Sequence, residues 1–178
     1  MNKLETHRFS SKNILFFMGL FLLIWVVSCK KHEVYPIEPV IEYKDFIKID
    51  NGTSIDNKGF LIINFTDGDG DIGLETEDTL PPYNINGDYY YNCLIDYFEL
   101  ENDSFVKIDL PFTFNVRVPY IEEDLANRGI KGEVQVEVYF NNINSSNDSI
   151  RFEVQLIDRA LHKSNIITTP SIYVKKHL

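Results

Sequence analysis

Glu133-Val134-Gln135-Val136-Glu137-Val138 places valine at every second position and a polar residue between. Successive side chains of a strand point to opposite faces, so this stretch builds one apolar and one wet face. Two neighbours repeat the period. Phe112, Phe114, Val116 and Val118 alternate with Thr113, Asn115 and Arg117, and Ile150, Phe152, Val154 and Leu156 alternate with Arg151, Glu153 and Gln155. Phe60 to Phe65 is apolar on both faces and suits a central strand. Residues 94–100 and 105–110 flank Glu101-Asn102-Asp103-Ser104, which reads as a hairpin turn. Weaker strands fit 45–50 and 165–174. The count is about 7–8 short strands, which predicts an all-β fold, a β-sandwich or a barrel, with a single antiparallel sandwich as the favoured form. One helical piece is expected, Ile121 to Arg128, with acids early and Gly129 just after it. No internal repeat is present.

The chain has 178 residues and a net charge of −10. That is one domain's length. The acidic balance excludes a nucleic-acid partner, which requires a Lys/Arg face. The start is different in kind. Lys3, Arg8 and Lys12 precede an almost wholly apolar run, Ile14 to Val27. Its 14 residues are short of the roughly 20 that span a bilayer, and match a secretory signal. Val26-Val27-Ser28-Cys29 follows and resembles a bacterial lipobox. The resemblance implies cleavage before Cys29, acylation of Cys29 and a membrane held through the N-terminal lipid. Lys30 stands where an inner-membrane retention Asp would be, which points to the outer membrane. Lys30-Lys31-His32-Glu33 is a poor surface-export signal, so the leaflet stays open. The expected organisation is signal peptide 1–28, lipidated Cys29 with a Pro36- and Pro39-stiffened tether 29–43, and the sandwich 44–178. Cys93 remains as a lone thiol, expected as a small buried hydrophobe.

Thr66-Asp67-Gly68-Asp69-Gly70-Asp71-Ile72-Gly73 is the most distinctive run. Three carboxylates at alternate positions in a glycine-rich turn repel one another unless a hard cation gathers them. The spacing matches the start of an EF-hand loop, with Glu75 and Asp78 falling at later ligand positions. Ile72 stands where that loop needs glycine, so the expectation is a Ca²⁺ loop on a β scaffold, with a solvated metal-free turn as the alternative. If the sandwich is immunoglobulin-like, the loops after 59–66 and 149–157 share one end. Asp158 would then join Asp67, Asp69 and Asp71 as a metal ligand. The plainer reading has Asp158 and Arg159 form a local salt bridge or turn.

Phe65 to Leu74 (FTDGDGDIGL), with Asp158-Arg159-Ala160 and Ser164-Asn165 later in the chain, resembles runs in small, largely uncharacterised Bacteroidota lipoproteins. The resemblance implies an immunoglobulin-like domain and an envelope location. Leu161-His162 departs from the Ala-Gly-Asn turn typical there.

No nucleophile elbow, P-loop, dinucleotide fingerprint or HExxH motif is present, so no catalysis is expected. The expected role is a non-catalytic binding or structural module with a protein partner, Ca-stabilised. The alternative is a glycan-binding accessory of a carbohydrate-uptake system, using Tyr83 and Tyr89-Tyr90-Tyr91 as stacking faces. Asp78-Thr79-Leu80 and Asp148-Ser149-Ile150 match short O-glycosylation acceptors.

Overall fold

The alternating stretches pair into two antiparallel sheets in the computed structural model, which describes residues 33–121 and 129–176. The strands are β1 Val40–Lys48, β2 Lys58–Asp67, β3 Cys93–Glu101, β4 Ser104–Lys107, β5 Ile130–Tyr139, β6 Ser149–Leu156, β7 Ile167–Thr168 and β8 Ile172–Tyr173. One sheet has the order β1-β2-β5 and the other β4-β3-β6-β7, with β8 also on β6. The protein is an all-β sandwich, and no helix is present among the described residues. The expected signal peptide, Cys29 and most of the expected helical piece at 121–128 lie outside the described residues.

Each strand's apolar positions face the space between the sheets. Leu61, Ile63 and Phe65 of β2 and Val134, Val136 and Val138 of β5 meet Ile95 and Tyr97 of β3 and Ile150, Phe152 and Val154 of β6. Phe152 is fully buried at the centre, its ring 5.6–5.9 Å from those of Phe114, Tyr97 and Phe46. Cys93 is buried, and burial pushes its thiol up to about 12, so it packs rather than reacts. Asn102 and Asp103 both take positive φ in the β3–β4 turn, as a tight two-residue hairpin of right-handed twist requires.

Three sequence expectations need correcting. First, β1 begins at Val40, inside the stretch expected as tether, and ends at Lys48 rather than residue 50. A bulge between Tyr43 and Asp45 shifts the register and packs both Tyr43 and Phe46 against the core. That extra residue breaks the period-two signal. Second, 112–118 is not a regular strand. Only Val116 bridges Cys93, while the Asn115 Oδ1 accepts the Ile95 N–H in place of a backbone carbonyl. Pro111 cannot donate a ladder hydrogen bond, and β4 already covers the far half of this edge. Third, 165–174 is split at Pro170 into β7 and β8.

The ladders put β2's end, β3's start, β5's start and β6's end at one pole. The chain enters β1 at the same pole. There the Tyr35 and Pro36 carbonyls pass so close to Gly68 that a Cβ would lie 2.5–2.6 Å away, so only glycine fits beneath them. The C-terminal segment lies at the other pole, where the Lys175 N–H meets the Asp56 carboxylate.

Candidate functional site

Asp67 closes β2, paired with Ile130 across the ladder. Its Oδ2 accepts the N–H groups of Gly70 at 2.8 Å and Asp71 at 3.0 Å, which winds the following residues into a tight loop. Ile72, fully buried, plugs the far side of that loop into the core. This explains the apolar residue where a helix-flanked calcium loop carries glycine. Gly73 at φ +104° then turns the chain beside Pro119, whose carbonyl oxygen would lie 2.2 Å from any Cβ. Leu74 bonds Val118 and Tyr120 through its N–H and C=O at 3.0 and 3.1 Å.

The β6–β7 loop comes to meet this turn. The Arg159 N–H donates to the Asp71 carbonyl at 3.1 Å, and the Ala160 N–H to the Asp71 carboxylate at 2.9 Å. Asp158 makes no salt bridge with Arg159 but opens a local turn, its carbonyl accepting the Leu161 N–H at 3.2 Å. Its oxygens accept the His162 N–H at 2.7 Å and face His162 Nδ1 at 2.9 Å. Arg159 reaches away to Asp78 at 2.9 Å and Glu75 at 3.3 Å, which removes both acids from the ligand set that the EF-hand spacing suggested. Leu161 takes φ +72°, the left-handed region that favours glycine. That backbone costs a leucine about 1–2 kcal/mol.

One carboxylate oxygen from each of Asp67, Asp69, Asp71 and Asp158 falls within 4.8 Å of the others. Asp67 is 0% and Asp158 1% exposed. The Oδ1 atoms of Asp67, Asp69 and Asp71 are buried with no hydrogen-bond partner. Buried Glu99, at the other pole, is the contrast. Its burial alone would raise its pKa, but donors from Ser145, Asn142, Asn147 and Tyr97 outweigh that and hold it below the usual range. A buried acid with a purely structural role is satisfied by protein donors. At the cluster one oxygen of each of three acids is left without such a donor, and a divalent cation is a partner that an all-oxygen set of four carboxylates accepts. Opposite ligands of Ca²⁺ stand up to about 5.2 Å apart at ordinary Ca–O distances, so the cluster's span fits.

Without a cation, burial first and then Asp69 and Asp71 push Asp67 up to about 7. Burial, Asp158 and Asp69 push Asp71 up to about 6, and burial raises Asp158. Hydrogen bonding to Asp158 raises His162. The sign follows from linkage. Between about pH 4 and 7 the native metal-free state holds protons that the unfolded chain has released, so stability is lost as pH rises. The EDTA-treated protein is therefore expected to melt lower at pH 8 than at pH 5. A divalent cation held by the deprotonated carboxylates would abolish that decline. Melts in EDTA that rise from pH 5 to pH 8 would contradict the burial of these charges.

The scaffold of the site is built by residues that carry no local signal in the chain. Asn92, 2% exposed, clamps Val118 through both side-chain atoms at 2.6 and 3.3 Å and accepts the Ile157 N–H at 2.8 Å through its carbonyl. Arg117 gathers the carbonyls of Glu75, Asp78, Tyr90 and Tyr83 at 2.8–3.4 Å and so holds the long 74–91 loop. Neither residue belongs to a motif. Tyr83, Tyr89, Tyr90 and Tyr91 are half-buried in that loop.

No family model, curated protein or solved structure matches this chain. The chemistry of the site therefore rests on its own geometry.

Proposed function

We propose that Asp67, Asp69, Asp71 and Asp158 hold one Ca²⁺, and that the chain is a non-catalytic binding module anchored to the outer membrane through a lipidated Cys29. The observation that carries the cation is the trio of buried, unpartnered carboxylate oxygens converging with Asp158. The anchor is supported by the charged start, the 14-residue apolar run and the lipobox-like Val26–Cys29. A binding rather than catalytic role is supported by the internal use of the polar groups around the cluster. Arg159 is spent on Asp78 and Glu75, and His162 on Asp158. None of these pairs a nucleophile with a base.

Calorimetric titration of the full-length, metal-stripped chain with CaCl₂ tests the cation. One site is expected in the wild type and none in an Asp69→Asn/Asp71→Asn variant, and an absence of heat and of saturation in the wild type would defeat the reading. For the anchor, Cys29→Ser expressed in a Gram-negative host should leave the membrane fraction and lose the acyl mass. Unchanged fractionation and mass would remove the lipid from the proposal.

A further inference from the structure

We propose that the cleft beside the acidic loop binds a neutral saccharide, and that the cation held by the four aspartates sets its affinity. The second half rests on the calcium reading above. The cleft has a volume of about 500 Å³, within the range of small-ligand sites, about 300–1,000 Å³. Its lining includes Tyr83, Tyr90, Thr76, Thr79, Asn84 and Arg117. Phenol rings beside hydroxyl and amide groups complement a pyranose, whose C–H face packs on an aromatic ring while its hydroxyls exchange hydrogen bonds. Other ligand classes fit less well. The net charge of −10, with aspartates behind the cleft, repels an anion. A wholly apolar ligand would strand the threonine hydroxyls and the Asn84 amide without partners. Arg117 is occupied by four loop carbonyls, so it shapes the wall instead of supplying a free charge.

The link to the cation is a chain of contacts through one residue. The Arg159 N–H holds the Asp71 carbonyl, its guanidinium holds Asp78 and Glu75, and its carbonyl accepts the Tyr83 hydroxyl. Asp71 and Asp158 are ligands of the same proposed ion, and Arg159 adjoins Asp158 in the chain. An ion that draws the two loops together therefore positions Arg159. Arg159 in turn positions Asp78 and Tyr83, two walls of the cleft. With no cation between them the four carboxylates repel one another across those loops, which opposes the arrangement that positions Arg159. Pre-organised walls bind more tightly, and linkage makes the effect reciprocal, so the sugar must tighten the ion by the same factor.

The test uses the full-length chain in a zwitterionic, sugar-free detergent. It is titrated by amide NMR with methyl glucoside, methyl galactoside, methyl mannoside, N-acetylglucosamine, maltose and cellobiose, in millimolar CaCl₂ and in EDTA. At least one member should perturb the loop 74–91 and bind at least fivefold tighter with Ca²⁺, within the usual coupling range of about 5–150-fold. Tyr90→Ala should abolish sugar binding and leave the calcium titration unchanged. Tyr83→Phe keeps the ring but removes the hydroxyl, and should shrink the Ca²⁺-to-EDTA ratio towards one. Equal sugar affinity in both buffers overturns the inference. Normal calcium uptake with no response to any sugar also overturns it but leaves the calcium reading standing. Sugar binding without calcium uptake overturns both.

Discussion

Calcium at a hundredfold excess over its Kd is expected to raise the melting temperature of the metal-stripped full-length protein by about 5–10 °C. A ligand that binds only the native state at that excess stabilises it by about 2.7 kcal/mol, and a domain of this size gains about 2–4 °C per kcal/mol. The variant Asp69→Asn/Asp71→Asn separates a cation site from an ordinary turn by its opposite signs in the two buffers. In EDTA it should melt higher than the wild type, because four converging carboxylates repel by about 1 kcal/mol per pair even in water. In calcium it should melt lower, because the ligands are gone. Both signs follow from the same buried, unpartnered oxygens. Differential scanning calorimetry of the two proteins in the two buffers reads all four numbers. Four coincident melts would reduce the loop to a glycine-rich turn.

Phe152→Ala is expected to cost about 3–5 kcal/mol, the range for removing a large aromatic from a packed core. Phe152 is 0% exposed and lies at the crossing of both sheets. It touches Phe46 from β1 and Tyr97 from β3, and Phe114 from the irregular edge segment. No single rearrangement can refill a void bordered by three separate elements. The cost is a large share of a total stability of about 5–15 kcal/mol, and lowers the melting temperature by about 6–20 °C. Ile143→Ala, at an 85% exposed position, should stay within about 0.5 kcal/mol of the wild type. Urea unfolding of the three proteins makes the comparison. A Phe152→Ala loss as small as that of Ile143→Ala would mean the two sheets are not packed as described.

Phe152, Phe46 and Phe114 also show why parts of the molecule are legible from the chain and parts are not. Phe152 sits in a stretch whose period of two survives folding unchanged, because β6 pairs with β3 along its length without a register shift, even though β7 and β8 on its other side are two-residue strands split at Pro170. Phe46 sits in β1, where one bulged residue inverts the pattern, so the alternation marks only a weak strand at 45–50 and hides its true start at Val40. Phe114 belongs to a stretch with a clean alternation that is nevertheless not a strand, because Pro111 and Asn115 replace ladder bonds with other partners. Periodicity reports which side chains are buried. It does not report which backbone groups are paired.

The chain by itself determined the all-β class, the central place of Phe60–Phe65, the hairpin at Asn102-Asp103 and the Asp67-Asp69-Asp71 run, while Asp158 could be added to that run only by assuming an immunoglobulin-like order of strands. The features it determined are all local in origin, resting on side-chain alternation, on turn chemistry, or on acids a few residues apart. The tertiary structure decided the rest. Asp158 meets Asp71 only because β2 and β6, in different sheets, end at the same pole. Glu75 and Asp78, which local spacing offered as ligands, are taken instead by Arg159 from a loop 81 residues beyond Asp78. Asn92 and Arg117 matter only through carbonyls and N–H groups far along the chain. Contacts of that separation leave no mark on sequence period, because they depend on where whole sheets end rather than on what stands next to what.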